Sequence, residues 1–499
     1  MSIDPSVHSG STGVSQNEFS AFAVEQNGLN VIAESERKGS PRDLFWPWCA
    51  ANISVLGLSY ASFVLGFGLG IWQALFASVV GTIVSFLLVG LVSLAGKRGS
   101  APTMALSRAP FGVRGNLLPA FVSYLYLVGW EIVLVSLSTL ATATVFGRLG
   151  WNDGNLTKVT AFVVVAAVIV GSGVLGFDLI MRLQRWLTVA TVVMTIGYIA
   201  LTLDEIDFDR VNALQAGTAT GVVGALLLMI TAFGLGWTNS AADYSRYLPR
   251  SSSSGGVVGW TVFGGAVAPV VLLVYGLLLV ASRPGLNGRI ALDPIGALTV
   301  LLPTWYLVPF AIVAVAGLVA GAVLDIYSSG LTLLSLGLPL PRWTAAAFDG
   351  VLMIIGTIYV VWVASDFLGP FIAFLITLGV PIAAWCGVFL ADLALRRKDY
   401  SEPDLFDSHG RYGSVNALAV GLMAVGTAVG WGLVVGTDKH FDWEGYLLDS
   451  LGLGGKTGSW AYSNIGIAVS FAIGLVGYFL LGRTRVRAQE SNQPMPAAR

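Results

Sequence analysis

Polar and charged positions along this chain gather into short clusters that separate long apolar stretches. With a window of about 19 residues, the length of helix that crosses a bilayer's hydrocarbon, there are about twelve spans. They begin near Leu44, Gly70, Asn116, Thr157, Arg185, Thr220, Gly256, Leu302, Ala346, Asp366, Gly413 and Ala461. The pattern predicts an all-α polytopic membrane protein. The segment before Leu44 is rich in Ser, Gly, Asn and Glu and lacks an apolar run near its start, so residues 1–43 read as a disordered cytoplasmic tail and not as a signal peptide. Residues 483–499 read as a second cytoplasmic tail.

Composition agrees. Hydrophobic residues make up 55% of the chain and charged residues 11%, against about 25% charged in an ordinary soluble domain. The net charge of -1 hides a polarised distribution. With both termini inside the cell, most of the 27 basic residues fall in cytoplasmic segments, leaving Arg148, Lys158, Arg210, Arg283, Arg289, Lys439 and Lys456 outside. An even number of spans and a multi-pass protein of the cell membrane follow. Nucleic acid is not an expected partner, and the oligomeric state is open.

The residue inventory also narrows the chemistry. Cys49 and Cys386 lie in apolar runs and read as small hydrophobes. His8, His409 and His440 fall in tails or loops, which leaves no histidine for an intramembrane metal site or triad. There is no phosphate-cradling GxxxxGK[ST] loop and no nucleophile motif, so neither an enzyme nor an ATP-driven pump is expected, and no cofactor. A channel would need a continuous polar stripe that is not evident.

Two spans are irregular. The first, "LFWPWCAANISVLGLSYASFVLGFGLG", carries Asn52, Ser54, Gly57, Ser59 and Ser62 through its centre. The sixth gives way to "GLGWTNS", Gly234 to Ser240, before a short piece holding Asp243, Tyr244, Arg246 and Tyr247. Glycines of this kind serve close packing in many membrane helices. Their placement at equivalent points of two halves suggests instead helices broken to hold cargo near the midplane, as in transporters with inverted repeats. Gly234 and Gly236 are read as hinges, Trp237 as a flat face for a ligand, Asp243 and Arg246 as a pair at the membrane edge, and the two tyrosines as interfacial.

Ionisable groups inside a membrane are costly, roughly 2.5 to 3.5 kcal/mol on insertion scales, and point to function. Glu131, after Trp130 in the third span, and Asp325 in the eighth qualify; the alternative is a buried structural hydrogen bond. Asp178, Asp349, Asp366 and Asp392 fall near predicted span ends, where water offers a bland explanation.

The stretches "FWPWCAAN", "AADYSRYLP", "DIYSSGL" and "GVFLADLALRRKDY", in this order over roughly residues 40–480, resemble the nucleobase-cation symporter-1 family and its purine-cytosine permease branch. The resemblance implies a LeuT-type fold: two inverted five-helix repeats over about 44–205 and 220–396, then two helices over about 413–482, within a transporter domain of 44–482. It implies a secondary active symporter of a nucleobase, cytosine or a purine, with a hydantoin- or allantoin-like heterocycle or an amino acid as the alternative cargo. It places Trp130 and Trp237 on the two faces of the base, and Asn52, Gly57, Ser59 and Asp325 at its edge; Glu131 and Asn239 stand nearby. The coupling ion, H+ or Na+, would lie near Gly57, Asp325, Ser328 and Ser329, with any Na+ at the two serines. The chain departs from the family in carrying Leu134 where an amide is expected, and Asp325 where Asn is common. Two intramembrane acids favour the proton.

Overall fold

The computed structural model describes residues 27–175, 177–338, 341–364, 367–437 and 439–491. Among them every regular element is a helix. Nine are long and apolar enough to cross a membrane: Ile71–Gly99, Leu117–Arg148, Asn155–Gly173, Ile180–Glu205, Ala219–Ser245, Ser254–Ser282, Thr304–Ser335, Trp343–Trp362 and Gly369–Leu395. Pro41–Asn52 with Leu56–Leu65 forms a bent first span, Ile465–Leu481 runs into the bent extension Arg483–Ser491, and Ala417–Trp431 is a shorter apolar helix. Counted in chain order, these are the twelve segments expected, numbered here spans 1 to 12.

Packing sorts the spans. Spans 1, 2, 6 and 7 pack together, spans 3, 4, 8 and 9 form a second group, and spans 10 to 12 a third. The pairing has an internal symmetry. Span 1 packs on span 7 as span 6 does on span 2; span 4 on span 8 as span 9 on span 3; and span 5 on span 8 as span 10 on span 3. Exchanging spans 1–5 with spans 6–10, each for the one five away, maps contact onto contact, as expected of two five-helix repeats. Large apolar side chains stay exposed on spans 4, 5 and 9, such as Val163, Val164, Val193, Ile196 and Ile355, and suit lipid.

Both described ends of the chain meet one face. The Ile32 N–H donates to the Ser100 carbonyl at 2.8 Å, and Gln489 Nε2 donates to the Ala109 carbonyl at 3.3 Å. This face carries the loop between spans 2 and 3, so the number of crossings is even.

The ends differ from the tails expected. Residues 1–26 and 492–499 lie outside the described residues. Residues 27–43, however, pack on the helical body: Ile32 is buried, and Arg246 donates to the Gly28 carbonyl at 2.8 Å. Arg483–Ser491 is helical with Val486 and Gln489 buried. Their polar composition reads as a tail because the partners are backbone carbonyls, which leave no pattern in sequence.

Candidate functional site

The two irregular spans break by different means. In span 1 the helix stops at Asn52, Ile53 takes φ -85° and ψ 65°, and the second piece sets off at 67°. Gly57 lies past the break, its N–H donating to the Ser54 carbonyl at 2.8 Å. In span 6 the helix ends at Ala232 and the non-helical residue is Phe233, φ -108° and ψ -98°. Leu235–Ser240 then tightens into a 3-10 helix.

Gly234 itself takes ordinary helical torsions, φ -76° and ψ -30°, so the break does not draw on its torsional freedom. Gly234 and Gly236 allow close approach: a Cβ on Gly234 would overlap the Ser85 backbone, and one on Gly236 the Tyr126 ring. The Ser85 hydroxyl accepts from the Gly234 N–H at 3.0 Å.

Between the breaks is a small cavity of about 50 Å³. Its wall includes Asn52 and Gly57 of span 1, Trp130 of span 3, Trp237 of span 6 and Asp325 of span 8. Five residues singled out from sequence thus meet in one place, with Leu134 at the expected departure. Trp237 is backed by the Trp48 ring, edge-on at 5.7 Å. The Asn52 amide donates to the Trp48 carbonyl at 2.8 Å. Asp325 is buried, and its Oδ2 has no hydrogen-bond partner.

Aromatic rings that nothing in the sequence marks crowd around the cavity. Tyr60 and Phe233 line it, and Phe371 lies 5.6 Å from Trp130 and is stacked at 6.4 Å on Tyr60. Phe63, 5.5 Å from Tyr60, belongs to a cleft of about 620 Å³ with Phe67, Asn287 and Tyr462. This cleft faces away from the chain ends. In a sequence, such rings cannot be told from lipid-facing ones, because nothing in an apolar span marks which face is inward.

The remaining candidates sit elsewhere. Ser59 is off the cavity, its hydroxyl donating to the Pro294 carbonyl. Asn239 is buried in the 3-10 turn, with both amide atoms unpartnered. Ser328 shares a hydrogen bond with Tyr244 Oη at 3.1 Å. Ser329 donates to Glu131 Oε1 at 2.7 Å and also contacts Asp349 Oδ2. Where the carbonyls of Ile53 and Ala51 meet span 8, the facing residues are Gly317 and Gly321. The hydroxyls expected to join span 1 carbonyls around an ion therefore have their hydrogen bonds on other groups.

Other expectations change too. Asp349 is fully buried between spans, not at a wet end. Span 9 starts earlier than its apolar pattern suggests, which puts Asp349 two turns inside. Asp392 is also buried, but Arg396 donates to both its oxygens at 2.9 Å, a satisfied ion pair. Asp366 lies outside the described residues. Asp243 accepts from the Thr103 N–H at 2.7 Å and its hydroxyl at 2.9 Å, while Arg246 donates to Tyr327 Oη at 2.9 Å. Tyr244 is no interfacial residue: buried, it donates to the Leu324 carbonyl at 2.8 Å and ties span 6 to span 8.

The sequence model of the family described as permease for cytosine/purines, uracil, thiamine, allantoin matches residues 31–446. The chain belongs to this permease family. The permease is 24% identical over 411 residues to YxlA of Bacillus subtilis (strain 168), named as a candidate purine-cytosine permease, covering 79% of this chain and 84% of that one. It is 26% identical to the purine-cytosine permease FCY2 of Saccharomyces cerevisiae over 47% of this chain and 44% of the yeast protein. Among solved structures it is similar to Mhp1, a nucleobase-cation-symport-1 family transporter in a closed conformation with bromovinylhydantoin bound. That match has a TM-score of 0.68 and 19% identity, covering 94% of this chain and 97% of the other. The fold is thus of the LeuT type, and the permease is a multi-pass transporter of the nucleobase class and not an enzyme.

Proposed function

We propose that this permease imports a nucleobase, cytosine or a purine, by proton symport with alternating access. The observation that carries the reading is the meeting of Trp130, Trp237, Asn52 and Asp325 around one small cavity between two broken spans. A base is flat, polarisable and rimmed with donors and acceptors, so aromatic faces and a few fixed polar groups suit it. The cavity is far below the roughly 300–1,000 Å³ of ordinary ligand sites, so Tyr60, Phe233 and Phe371 must move to admit a base. Asp325 with a free carboxylate oxygen can accept from a ring N–H or an exocyclic amine. The names of YxlA and FCY2 favour cytosine and purines; Mhp1 with its bound hydantoin keeps a hydantoin-like heterocycle as the second reading.

Proton coupling is favoured over Na+ by where the hydroxyls go. Ser328 and Ser329 are committed to Tyr244, Glu131 and Asp349. Basic residues on the face holding both chain ends favour that face as the cytoplasmic one, and the membrane is read as the cell membrane. The repeats would then run over about 44–205 and 220–396, within a transporter domain of 44–482.

The test is uptake into proteoliposomes with base, proton gradient and Na+ varied independently. Labelled cytosine should accumulate under an inward proton gradient in Na+-free buffer and be displaced by adenine more strongly than by hydantoin. Strict Na+ dependence, or displacement by hydantoin alone, would overturn the corresponding half.

A further inference from the structure

Beside the cavity, where spans 3, 8 and 9 meet, lies a cluster of two carboxyls and a hydroxyl. Glu131 of span 3, Ser329 of span 8 and Asp349 of span 9 are all fully buried. The Ser329 hydroxyl is 2.7 Å from Glu131 Oε1 and is also in hydrogen-bond contact with Asp349 Oδ2. A serine hydroxyl has one hydrogen to give, and an ionised carboxylate has none. Both contacts can be hydrogen bonds only if one carboxyl brings a hydrogen of its own. An arrangement in which both contacts are hydrogen bonds calls for one bound proton.

Among the described residues no cation substitutes for it. Glu131 and Asp349 have no Lys, Arg or His among their hydrogen bonds, and the titratable groups acting on them are Asp325 and Tyr124, neither positive. Span 4, which also packs there, has a single titratable side chain, Lys158, in its first turn. On span 5, Arg182 and Arg185 line a separate pocket with Lys38. On span 10, Asp392 is held by Arg396. Arg108, at the far end of span 8, donates to the carbonyls of Ser335 and Leu405. Glu131 Oε2 and Asp349 Oδ1 have no partner, so the pair has spare capacity for hydrogen bonds.

The cluster also adjoins the cavity through both helices. Glu131 follows Trp130, and Ser329 lies one helical turn beyond Asp325, on the same face. We infer that Glu131, Ser329 and Asp349 form the proton-binding site of transport, distinct from the base site whose edge is Asp325. Taking up one proton, onto Glu131 or Asp349, lets the serine bridge the two carboxyls and draws spans 3, 8 and 9 together as found here. Releasing it leaves two negative charges on either side of one hydroxyl and favours their separation. The inference rests on the proton-symport reading above.

The test has two parts. In proteoliposomes with labelled cytosine, Asp349→Asn and Glu131→Gln should each lose accumulation under an inward proton gradient while keeping measurable counterflow at equal pH. Infrared spectroscopy of the wild-type protein should show a protonated-carboxyl C=O band that disappears in both variants and survives in Asp325→Asn. Two variants that still concentrate cytosine, or no such band in the wild type, would overturn the assignment; the spectrum reads the wild type directly, so it decides even if a variant fails to fold. A wild type indifferent to the proton gradient would instead sink the symport reading itself, and the two failures are thereby told apart.

Discussion

Spans 1 and 6 interrupt their helices at matching places in the two repeats, yet one bends and the other tightens. Span 1 turns through 67° at Ile53–Val55, and its freed carbonyls meet the bare backbone of Gly317 and Gly321. Span 6 stays one apolar segment, Ala219–Ser245. Its 3-10 turn keeps local hydrogen bonds, Trp237 N–H to the Gly234 carbonyl at 2.9 Å and the Thr238 hydroxyl to the Leu235 carbonyl at 2.6 Å, and is clamped on span 2 through Ser85. The difference assigns them different work. The expectation that follows is span 6 as a fixed platform for Trp237 and span 1 as the element that moves when the site opens.

The sharpest way to break this comparison is to add volume at each break. In Gly234→Ala the new methyl has nowhere to go, because the obstacle is the Ser85 backbone. Overpacking of this kind costs about 1–3 kcal/mol, and a marked fall in melting temperature and yield is expected. In Gly57→Ala the methyl meets the Leu272 side chain at 3.1 Å, which can yield. The variant should fold nearly as well as the wild type. Equal melting temperatures for both would remove the clamp from the account of span 6.

If the platform presents Trp237 to the base, truncating the ring is the next largest effect. Stacking contributes about 1 to 3 kcal/mol per base, so Trp237→Ala should weaken cytosine binding by about tenfold or more, and Trp237→Phe by less. Binding to the purified variant by calorimetry is the measurement. An unchanged affinity in folded Trp237→Ala takes the ring out of the site.

How much of this contrast was legible in the sequence differs by residue. Asn52 and Trp237 stand out at the breaks, Asp325 as an intramembrane acid and Trp130 through the family resemblance, and the structure brings them together. The positions of the breaks were legible to within a few residues, but not their kind. Gly234 suggests torsional freedom when read alone; only the approach of Ser85 shows that it is there for space. Ser59 and Ser328 have hydroxyls committed to Pro294 and Tyr244, partners more than 80 positions away, which no local pattern discloses. Asp349 was hidden by the uncertain start of span 9, and Tyr60, Phe233 and Phe371 by their resemblance to lipid-facing rings.

Mobility gives a subtler test. A cysteine at Ser54, on the cavity wall beside the span 1 break, should react with a small maleimide several-fold more slowly when cytosine is added. One at Ser240, buried at the end of the 3-10 turn, should respond little, the span 6 platform being fixed. Equal responses at both positions would show that the two breaks move together.

The smallest effect is expected behind the platform. Span 10 packs against the 3-10 turn of span 6, and its Thr377 hydroxyl donates to Glu444 Oε1 at 2.8 Å, in the loop between spans 11 and 12. Burial raises the Glu444 carboxyl from an ordinary 4.5 to about 7, against the lowering effects of Thr377 and of Lys456. A carboxyl with a raised folded-state value binds its proton more tightly folded than unfolded. Its stabilising contribution is full below pH 4.5 and is lost as the pH rises through about 7. Wild-type melting temperature should therefore fall across this window by a component that Glu444→Gln lacks. The difference between the two proteins should shift in the variant's favour from roughly pH 5 to roughly pH 8. Parallel curves for the two proteins would mean that Glu444 is ionised in the folded state throughout, and that the wall supporting span 6 carries no proton at this position.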